Sequence, residues 1–492
     1  MFKSLEIGRR IKGDEFDERS LALREQLMRA QLDLAKRDYP LIIIVAGLDG
    51  AGKGELVHRI NEWMDPRGIA TNTFWEHSDE EESHPYFWRF WRKLPPRGET
   101  AIFLGSWYAR PALLLLDKKI DELEFIRQCQ DILAFERALI DDGALIVKLW
   151  LHVSKKTQQA QLEEDAPNKQ QIRRIPERPY DMSGNYKRSL KVAEELVLAT
   201  DTPDSPWQLV EAEDRHYRDI NCGEIILHAL QRRIEADDVA PPEPTETELP
   251  PASQQTLLGQ VDLDLALERD VYKNKLSKYQ LRLQDLVWKA YEQRRSLVAV
   301  FEGWDAAGKG SAIRRVTRAM DPRLFHLVQF AAPTDEEKAR HYLWRFWRQL
   351  ERDGRATIFD RSWYGRVLVE RVEGFARESE WRRAYAEINQ FEAELVNHGS
   401  IVTKFWLHIS PDEQLARFRE RENSPHKQHK ITEEDWRNRD KWDVYEHAVD
   451  DMITRTSTSR APWQVIPAND KRYARIQILK SICAQLESAL DD

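Results

Sequence analysis

Cysteine and long apolar runs are both scarce in this chain of 492 residues. The three cysteines, Cys129, Cys222 and Cys483, lie far apart and show neither CxxC nor Cys/His spacing. That excludes a disulfide scaffold and a zinc module, and it suits a reducing cytoplasm. The longest apolar run, 41–47, is far shorter than the roughly 20 residues that cross a bilayer, and no signal-peptide core precedes it. We therefore expect a soluble, cytoplasmic protein with no membrane partner.

Positive charge is also in the minority. Lys and Arg number 75 against 84 Asp and Glu, which gives a formal net charge of −9. Because an acidic surface repels nucleic acid, we expect no nucleic-acid partner, and any polyanionic ligand must meet a locally basic cleft. Hydrophobic residues at 41% and 17 tryptophans supply large cores and exclude intrinsic disorder.

The chain contains an internal repeat. The segment LIIIVAGLDGAGKGELVHRINEWMDPRG returns as SLVAVFEGWDAAGKGSAIRRVTRAMDPR, with Lys53 and Lys309 separated by 256 positions. The same spacing relates two copies each of the segments WRFW, SWY, WLH and PWQ. Between the copies, a stretch rich in Pro and acidic residues is typical of an extended linker. We therefore predict a first domain at 1–236, a linker at 237–256 and a second domain at 257–492.

Each copy alternates apolar strand patterns with helical ones. Such alternation predicts an α/β fold, with a parallel sheet covered by helices on both faces. In the second copy the predicted strands include 297–302, 356–360 and 401–409, and the predicted helices include 309–320, 335–350 and 381–397. Amphipathic helical segments, 21–35 and 279–291, precede the first strand of each copy.

A glycine-rich loop follows the first strand of the second copy. Its glycines, Gly303, Gly308 and Gly310, let backbone N–H groups converge on phosphate oxygens at the start of a helix. Lys309 supplies a cation over a transferred phosphoryl group. Since Gly310 stands where ordinary P-loops carry a metal-binding Ser or Thr, we predict that Asp305 supplies that Mg²⁺ ligand instead.

Two further elements of the second copy carry charge suited to phosphate chemistry. Asp360 ends a predicted strand, the usual place for a second Mg²⁺-directed carboxylate, and Arg361 follows it. Residues 417–430 hold five Lys or Arg against two Glu. We predict that this stretch is a lid over the phosphoryl group, the alternative being a solvated helix face.

The motifs GWDAAGKG, FDRSWYGR, KFWLHIS and APWQVI, in this order, resemble those of the polyphosphate kinase 2 family. The tandem arrangement resembles its two-domain members, which phosphorylate AMP. The resemblance implies a thymidylate-kinase-like P-loop fold and Mg²⁺-dependent phosphoryl transfer between inorganic polyphosphate and a nucleotide. It places the family's catalytic positions on Asp305, Lys309, Asp360 and Arg361. Its further phosphate-binding positions fall on Arg366, Glu370, Arg417, Arg419 and Arg421.

The first copy has lost much of this set. It keeps Asp49 and Lys53, but Leu104 and Gly105 replace the strand-end Asp-Arg pair. The residues matching Glu370 and the three lid arginines are Leu114, Gln161, Glu163 and Asp165. Because acidic groups repel a polyanion, we predict a catalytically inactive first domain that is retained for packing, the alternative being residual phosphate binding through Lys53.

Competing functions differ in the phosphoryl donor or in the acceptor. We favour transfer from polyphosphate to AMP, giving ADP. The enzymatic alternatives are an ATP-dependent nucleotide or small-molecule kinase and polyphosphate-dependent phosphorylation of nucleoside diphosphates. A long polyanion needs a basic channel longer than one triphosphate, to which Arg345 and Arg348 could contribute. A non-enzymatic nucleotide sensor or scaffold fits the first copy but not the second, whose set is complete. The sequence leaves a homo-oligomer open.

Overall fold

The computed structural model describes residues 1–74, 77–165, 185–237, 256–424, 431 and 433–491. The chain divides into two compact units. The first unit comprises Met1–Ser78, Arg89–Glu243 and Asp335–His341, and the second comprises Asp79–Trp88, Pro244–Thr334 and Tyr342–Asp492. Apart from its two end residues, the predicted linker lies outside the described residues.

The sheet of the first unit has five parallel strands in the order β2-β3-β1-β4-β5. Its central strand β1 is buried over five successive residues, because helices cover both faces. The strands are β1 Leu41–Gly47, β2 Ile69–Thr73, β3 Thr100–Leu104, β4 Leu145–His152 and β5 Trp207–Glu211. The α-helices of the first repeat are Gly13–Leu34, Lys53–Trp63, Asp79–Glu82, Trp88–Trp91, Ala109–Leu116, Glu122–Asp141, Lys155–Asp165, Tyr186–Thr200 and Arg215–Asp237, with 3₁₀ turns at Phe2–Leu5 and Pro66–Gly68.

The second unit has the same strand order, β7-β8-β6-β9-β10, and is again wholly parallel. The strands are β6 Leu297–Gly303, β7 Phe325–Gln329, β8 Ala356–Asp360, β9 Ile401–His408 and β10 Trp463–Pro467. The α-helices of the second repeat are Arg269–Glu292, Lys309–Thr317, Asp335–Lys338, Trp344–Trp347, Val369–Val372, Glu378–Asn397, Pro411–Glu422, Glu433–Asp440, Trp442–Thr456 and Lys471–Asp491, with 3₁₀ turns at Leu258–Gln260 and Trp363–Arg366. The predicted fold, two tandem α/β copies, is confirmed.

Strand topology brings the charged loops of the second repeat together. β6 lies at the centre of its sheet, between β8 and β9. Because the strands are parallel, their carboxyl ends meet at one edge, where ligands of open α/β sheets bind. The glycine-rich loop leaves the end of β6, and Asp360 is the last residue of β8. Asp360 pairs in register with Phe301 of β6, so the two loops leave neighbouring strands.

One predicted helix is wrong. The segment 335–350 forms two short helices, Asp335–Lys338 and Trp344–Trp347, instead of one long helix. Six of the seven residues from 341 to 347 are buried. A regular surface helix buries only one face, so it could not place nearly consecutive aromatic side chains in the core.

The loop after β8 is fixed by a buried ionic network. Lys404 is fully buried, and its Nζ donates to Glu392 Oε2 at 2.7 Å, to Tyr364 OH at 2.9 Å and to the Thr456 carbonyl oxygen at 2.7 Å. Tyr364 OH and Trp363 Nε1 in turn donate to Glu392 Oε1, at 2.6 and 3.1 Å. The first repeat holds the same network around Lys148. Its presence in both repeats favours a structural role.

No helix in the described part of the chain is both long enough and apolar enough to cross a membrane.

Candidate active site

The glycine-rich loop of the second unit passes close to β9. A Cβ added at Gly303 would lie 2.6 Å from the carbonyl oxygen of Leu407, so only glycine fits there. Gly308, at φ 110°, is the N-cap of the helix that starts at Lys309. Lys309 Nζ donates to the Gly303 carbonyl oxygen at 2.5 Å, which folds the ammonium group back over the loop. The loop therefore combines helix N–H groups with one cation, as a phosphate site needs.

Asp305 is held in the loop by two helices. Its Oδ2 accepts from Asn438 Nδ2 at 3.0 Å, and its carbonyl oxygen accepts from Gln414 Nε2 at 3.2 Å. Tyr445 OH donates to Asn438 Oδ1 at 3.3 Å. Burial raises the pKa of Tyr445, and the nearby carboxylates of Glu373 and Asp305 raise it further. The hydroxyl thus stays protonated as a donor at neutral pH, and the chain Tyr445–Asn438–Asp305 orients the loop carboxylate.

Arg361 occupies a strained backbone conformation between Asp360 and Ser362. Its φ of 68° is in the left-handed region, which costs a side-chain-bearing residue roughly 1–2 kcal/mol. At the same place in the first repeat Gly105 also has a φ of 68°. The two repeats therefore share the turn, but only the second carries an arginine on it.

Arg361→Gly is expected to be more stable than Arg361→Ala by about 1 kcal/mol. Both variants lose the guanidinium group, and only glycine adopts this φ without strain. Guanidinium chloride unfolding of the two variants measures the difference. Equal unfolding midpoints would show that the left-handed conformation stores no strain.

A cavity of about 770 Å³ lies over the loop. Its lining includes two of the three predicted glycines, Gly308 and Gly310, together with Asp305, Asp360 and Gln329. Basic side chains outnumber acidic ones by seven to five among its lining residues. The basic ones are Lys309, Arg314, Arg361, Arg417, Arg421, Lys471 and Arg475. In a protein of net charge −9, this is a local basic cleft of the kind that a polyanion requires.

A second, smaller cavity of about 100 Å³ adjoins the first. The two share six lining residues, among them Asp305, Lys309 and Arg361. The smaller one adds the carboxylate of Glu302 and apolar and aromatic side chains, namely Leu368, Val369, Trp406 and Tyr445. A basic space and a partly apolar space therefore meet at the same lysine and arginine.

The carboxylates fit a magnesium ion. Asp305 and Asp360 both line the larger cavity. Within the described residues, no group of three or more His, Cys, Asp or Glu side chains could hold a metal. Mg²⁺ is usually bound by one or two carboxylates, with phosphate oxygens and water completing its shell. The donor set thus suits Mg²⁺ bound together with a phosphate substrate, and the metal stays a prediction.

Arg417, predicted to bind phosphate from a lid, lines the larger cavity, and phosphate binding by it stays a prediction. Its buried guanidinium donates to the carbonyl oxygens of Ala306 and Ala307, both at 2.9 Å, and to two more carbonyl oxygens, of Ala468 and Asn469. Its Nε donates to Glu413 at 2.6 Å. An arginine has five N–H donors, so this set occupies all of them. Arg417 therefore supports the backbone of the phosphate loop.

The other predicted lid residues are divided. Arg421 lines the larger cavity, whereas Arg419, on the same helix, is exposed. Both end the helix Pro411–Glu422. Residues 425–430, with the last two lysines of the predicted lid, lie outside the described residues.

Three predicted phosphate-binding residues form a separate group in the second unit. Arg366 pairs with Glu370 at 3.2 Å and lies over the Tyr342 ring. Arg345 lies over the Phe330 ring, and its charge acts on Glu370. Burial raises the pKa of Glu370, and the two arginines oppose that rise. Within the described residues, none of these three side chains lines either cavity. Phosphate binding by it stays a prediction.

The matching loop of the first unit is packed differently. Lys53 Nζ donates to the Gly47 carbonyl oxygen at 2.9 Å and to Asp49 Oδ1 at 3.3 Å. The buried guanidinium of Arg218 lies against the loop, since a Cβ added at Gly52 would be 1.7 Å from its Nη1. In the second repeat the residue matching Arg218 is Ala474. An arginine thus fills the space beside the phosphate loop of the first repeat, whereas the second repeat has an alanine at the matching position.

Several residues at the site were not predicted from the sequence. The Trp304 ring stacks on Trp442 at 3.7 Å, and Trp304 Nε1 donates to His408 Nδ1 at 3.0 Å. Burial lowers the pKa of His408 to about 4, which keeps its ring neutral and able to accept. Glu302, near the end of β6, is also buried, and its burial raises its pKa. Differences between the repeats could have indicated two of these residues, because Leu48 and Ala46 match Trp304 and Glu302.

Comparison with known proteins agrees with this geometry. A family model described as polyphosphate kinase 2 (PPK2) matches residues 10–238 and 266–492. A polyphosphate:AMP phosphotransferase of Pseudomonas aeruginosa is 46% identical over 491 residues, 99% of each chain, and one of Acinetobacter johnsonii is 39% identical over 453 residues, 92% of each chain. A crystal structure of a polyphosphate kinase 2 from P. aeruginosa PA01 has a TM-score of 0.89 at 45% identity and 100% coverage of both chains. The chain belongs to the polyphosphate kinase 2 family.

Proposed function

We propose that the second repeat transfers a phosphoryl group from inorganic polyphosphate to AMP, giving ADP, with Mg²⁺ as cofactor. The meeting of the two cavities at Lys309 and Arg361 carries the proposal. A phosphate chain suits the larger, basic cavity, and a nucleoside suits the smaller one with its apolar and aromatic lining. The names of the full-length relatives in P. aeruginosa and A. johnsonii support the same donor and acceptor.

This phosphoryl transfer requires alignment of the substrates and neutralisation of their charge more than it requires proton transfer. The phosphate of AMP is ionised at neutral pH, so the acceptor needs no strong general base. Lys309 and Arg361 stabilise charge on the transferred group and on its bridging oxygen. Mg²⁺ on Asp305 and Asp360 would neutralise further phosphate charge and orient the chain.

The first repeat is proposed to be inactive. Leu104 replaces the strand-end carboxylate, and Gly105 replaces the neighbouring cation. Arg218 packs against the first loop and is paired with Glu55 and Asp219, at 3.0 and 2.8 Å. The scarcity of cysteine, with all three thiols buried and unpaired, suits a protein of the reducing cytoplasm, where we place the reaction.

A comparison of donors tests the proposal. The purified protein is incubated with Mg²⁺ and AMP, and with either polyphosphate or ATP, and the nucleotide products are separated. We expect ADP to form with polyphosphate much faster than with ATP. An equal rate with ATP would favour a conventional nucleotide kinase, and ATP formation from ADP alone would favour a nucleoside diphosphate acceptor.

Salt dependence gives a second readout of the basic cavity. Several cations bind one polyanion together, so raising salt from about 50 to about 200 mM is expected to weaken the apparent affinity for polyphosphate at least about tenfold. The KM for AMP, a ligand of lower charge, should change less. If the KM for polyphosphate did not change with salt concentration, that result would contradict binding in the cavity lined by seven basic residues.

A further inference from the structure

Glu302 is a buried carboxylate inside an otherwise apolar strand. It lies in β6, directly before Gly303, and is 6% exposed. Its Oε1 accepts the backbone N–H of Ser362 at 2.7 Å and the hydroxyl of Ser362 at 2.8 Å. A buried carboxylate is costly unless it is paired or hydrogen-bonded, and here the charge of Lys309 and the two bonds from Ser362 on the neighbouring strand-end loop oppose the rise that burial causes in its pKa.

The bond from Glu302 is made to the residue that directly follows Arg361. It fixes the peptide unit between Arg361 and Ser362, and therefore the ψ angle of Arg361. Arg361 N donates to the Phe301 carbonyl oxygen of β6 at 3.4 Å, which is a long and weak bond. The two strong bonds to Glu302 are thus placed to hold the left-handed turn, and a strained conformation persists only where its surroundings over-determine it.

The first repeat is a natural comparison for this arrangement. It keeps the serine, as Ser106, and it keeps the left-handed turn, with Gly105 in place of the arginine. Ala46 stands in place of the buried carboxylate. The strand position of the anchor is therefore alanine in the repeat whose turn is made by glycine, and a carboxylate in the repeat whose turn is made by arginine.

We propose that Glu302 is a positioning residue, which holds Ser362 and thereby keeps the Arg361 side chain directed into the two cavities that meet at the phosphate loop. Arg361 lines both cavities, so its direction decides whether the guanidinium reaches the transferred phosphoryl group. The kinetic part of this assignment rests on the proposed phosphoryl transfer. The conformational part does not depend on it.

Kinetics of variants test the positioning role. Glu302→Ala is expected to lower kcat about 10²-fold, as for a catalytic group displaced by about 1 Å, with small changes in both KM values. Glu302→Gln keeps an amide oxygen that can accept both bonds, so it should retain activity within about tenfold of the parent. In an Arg361→Gly background, Glu302→Ala should add little further loss, because the side chain it positions is gone. The matched control is Ser106→Ala in the first repeat, which should leave kcat unchanged.

Unfolding measurements test the same role without an assay of enzymatic activity. Arg361→Gly should have a higher melting temperature than Arg361→Ala when Glu302 is present. The difference should vanish when both variants also carry Glu302→Ala, since the turn can then relax out of the left-handed region. If the difference persists, Glu302 does not hold the turn, whatever the protein's substrates are.

Two kinetic outcomes would overturn the proposal independently of melting. A Glu302→Gln variant as inactive as Glu302→Ala would show that the negative charge itself acts on substrate or metal. Fully additive losses from Glu302→Ala and Arg361→Gly would show that the two residues act separately. If every variant lacks polyphosphate-dependent activity because the parent lacks it, the proposed function fails and the melting comparison still decides the role of Glu302.

Discussion

Lys309→Ala is expected to abolish phosphoryl transfer from polyphosphate to AMP, with a loss in kcat of at least about 10³-fold. The ammonium group folds over the phosphate loop, and it lines both cavities beside Arg361. Its removal would take away a cation that we propose neutralises charge on the transferred group. Because Lys309 is only partly buried in the loop, the variant should remain folded, with an unchanged melting temperature as the check.

Lys53→Ala is the matched control, because it removes the same side chain from the same loop of the other repeat. We expect its kcat to stay within about twofold of the parent, as for a change remote from the reacting groups. Leu104 and Gly105 already deprive the first loop of its carboxylate and its second cation. An inactive Lys53→Ala beside an active Lys309→Ala would reverse the assignment of the two repeats.

Asp360→Asn is expected to lower kcat by about 10²- to 10³-fold and to raise the Mg²⁺ concentration needed for half-maximal rate. The change is nearly isosteric and removes a hard, charged oxygen from the proposed metal ligand at the end of β8. Asp305→Asn should behave in the same way, since its carboxylate lines the same cavity. Rates measured over a Mg²⁺ titration separate a weakened metal site from a general loss of activity.

Asp49→Asn in the first repeat is the control for this second prediction. Asp49 matches Asp305 in its loop position and already pairs with Lys53 at 3.3 Å. Its replacement should leave both kcat and the Mg²⁺ requirement unchanged. If Asp360→Asn and Asp305→Asn kept normal rates and a normal Mg²⁺ requirement, neither carboxylate could be a metal ligand.

The strands and the phosphate loop could be predicted because their signals are local. A buried parallel strand is a continuous apolar run, and β8 was predicted with its observed bounds, 356–360. The loop from Gly303 to Lys309 is a contiguous motif whose turn depends on glycine. The helix 335–350 was predicted wrongly because its aromatic side chains are buried by the tertiary fold, which the local pattern does not report.

The supports of the site could not be predicted from one stretch of sequence. Asn438 reaches Asp305 across 133 positions, and Glu302 reaches Ser362 across 60. The sequence of a basic run does not show whether a given arginine faces solvent, binds phosphate or donates to a loop carbonyl. Arg417 therefore resembled a lid arginine, although its five hydrogen bonds within the protein make it a support of the loop.

Comparing the two repeats within the chain supplies part of the missing information. The repeats share the buried networks around Lys148 and Lys404, so those residues are needed for the fold in either copy. They differ at Asp360, Arg361 and Glu302, which cluster at the carboxyl ends of β6 and β8. Differences between copies with the same topology therefore indicate the site better than residue type alone.

Only one of the two phosphate loops is expected to bind polyphosphate, and counting polyphosphate sites tests this most directly. The intact protein is titrated calorimetrically with a short polyphosphate in the presence of Mg²⁺, alongside Lys309→Ala and Lys53→Ala. We predict one site per chain, weakened at least about tenfold in Lys309→Ala by the loss of a phosphate-contacting cation, and unchanged in Lys53→Ala. Two equivalent sites per chain, or one site that survives Lys309→Ala and is lost in Lys53→Ala, would contradict the account.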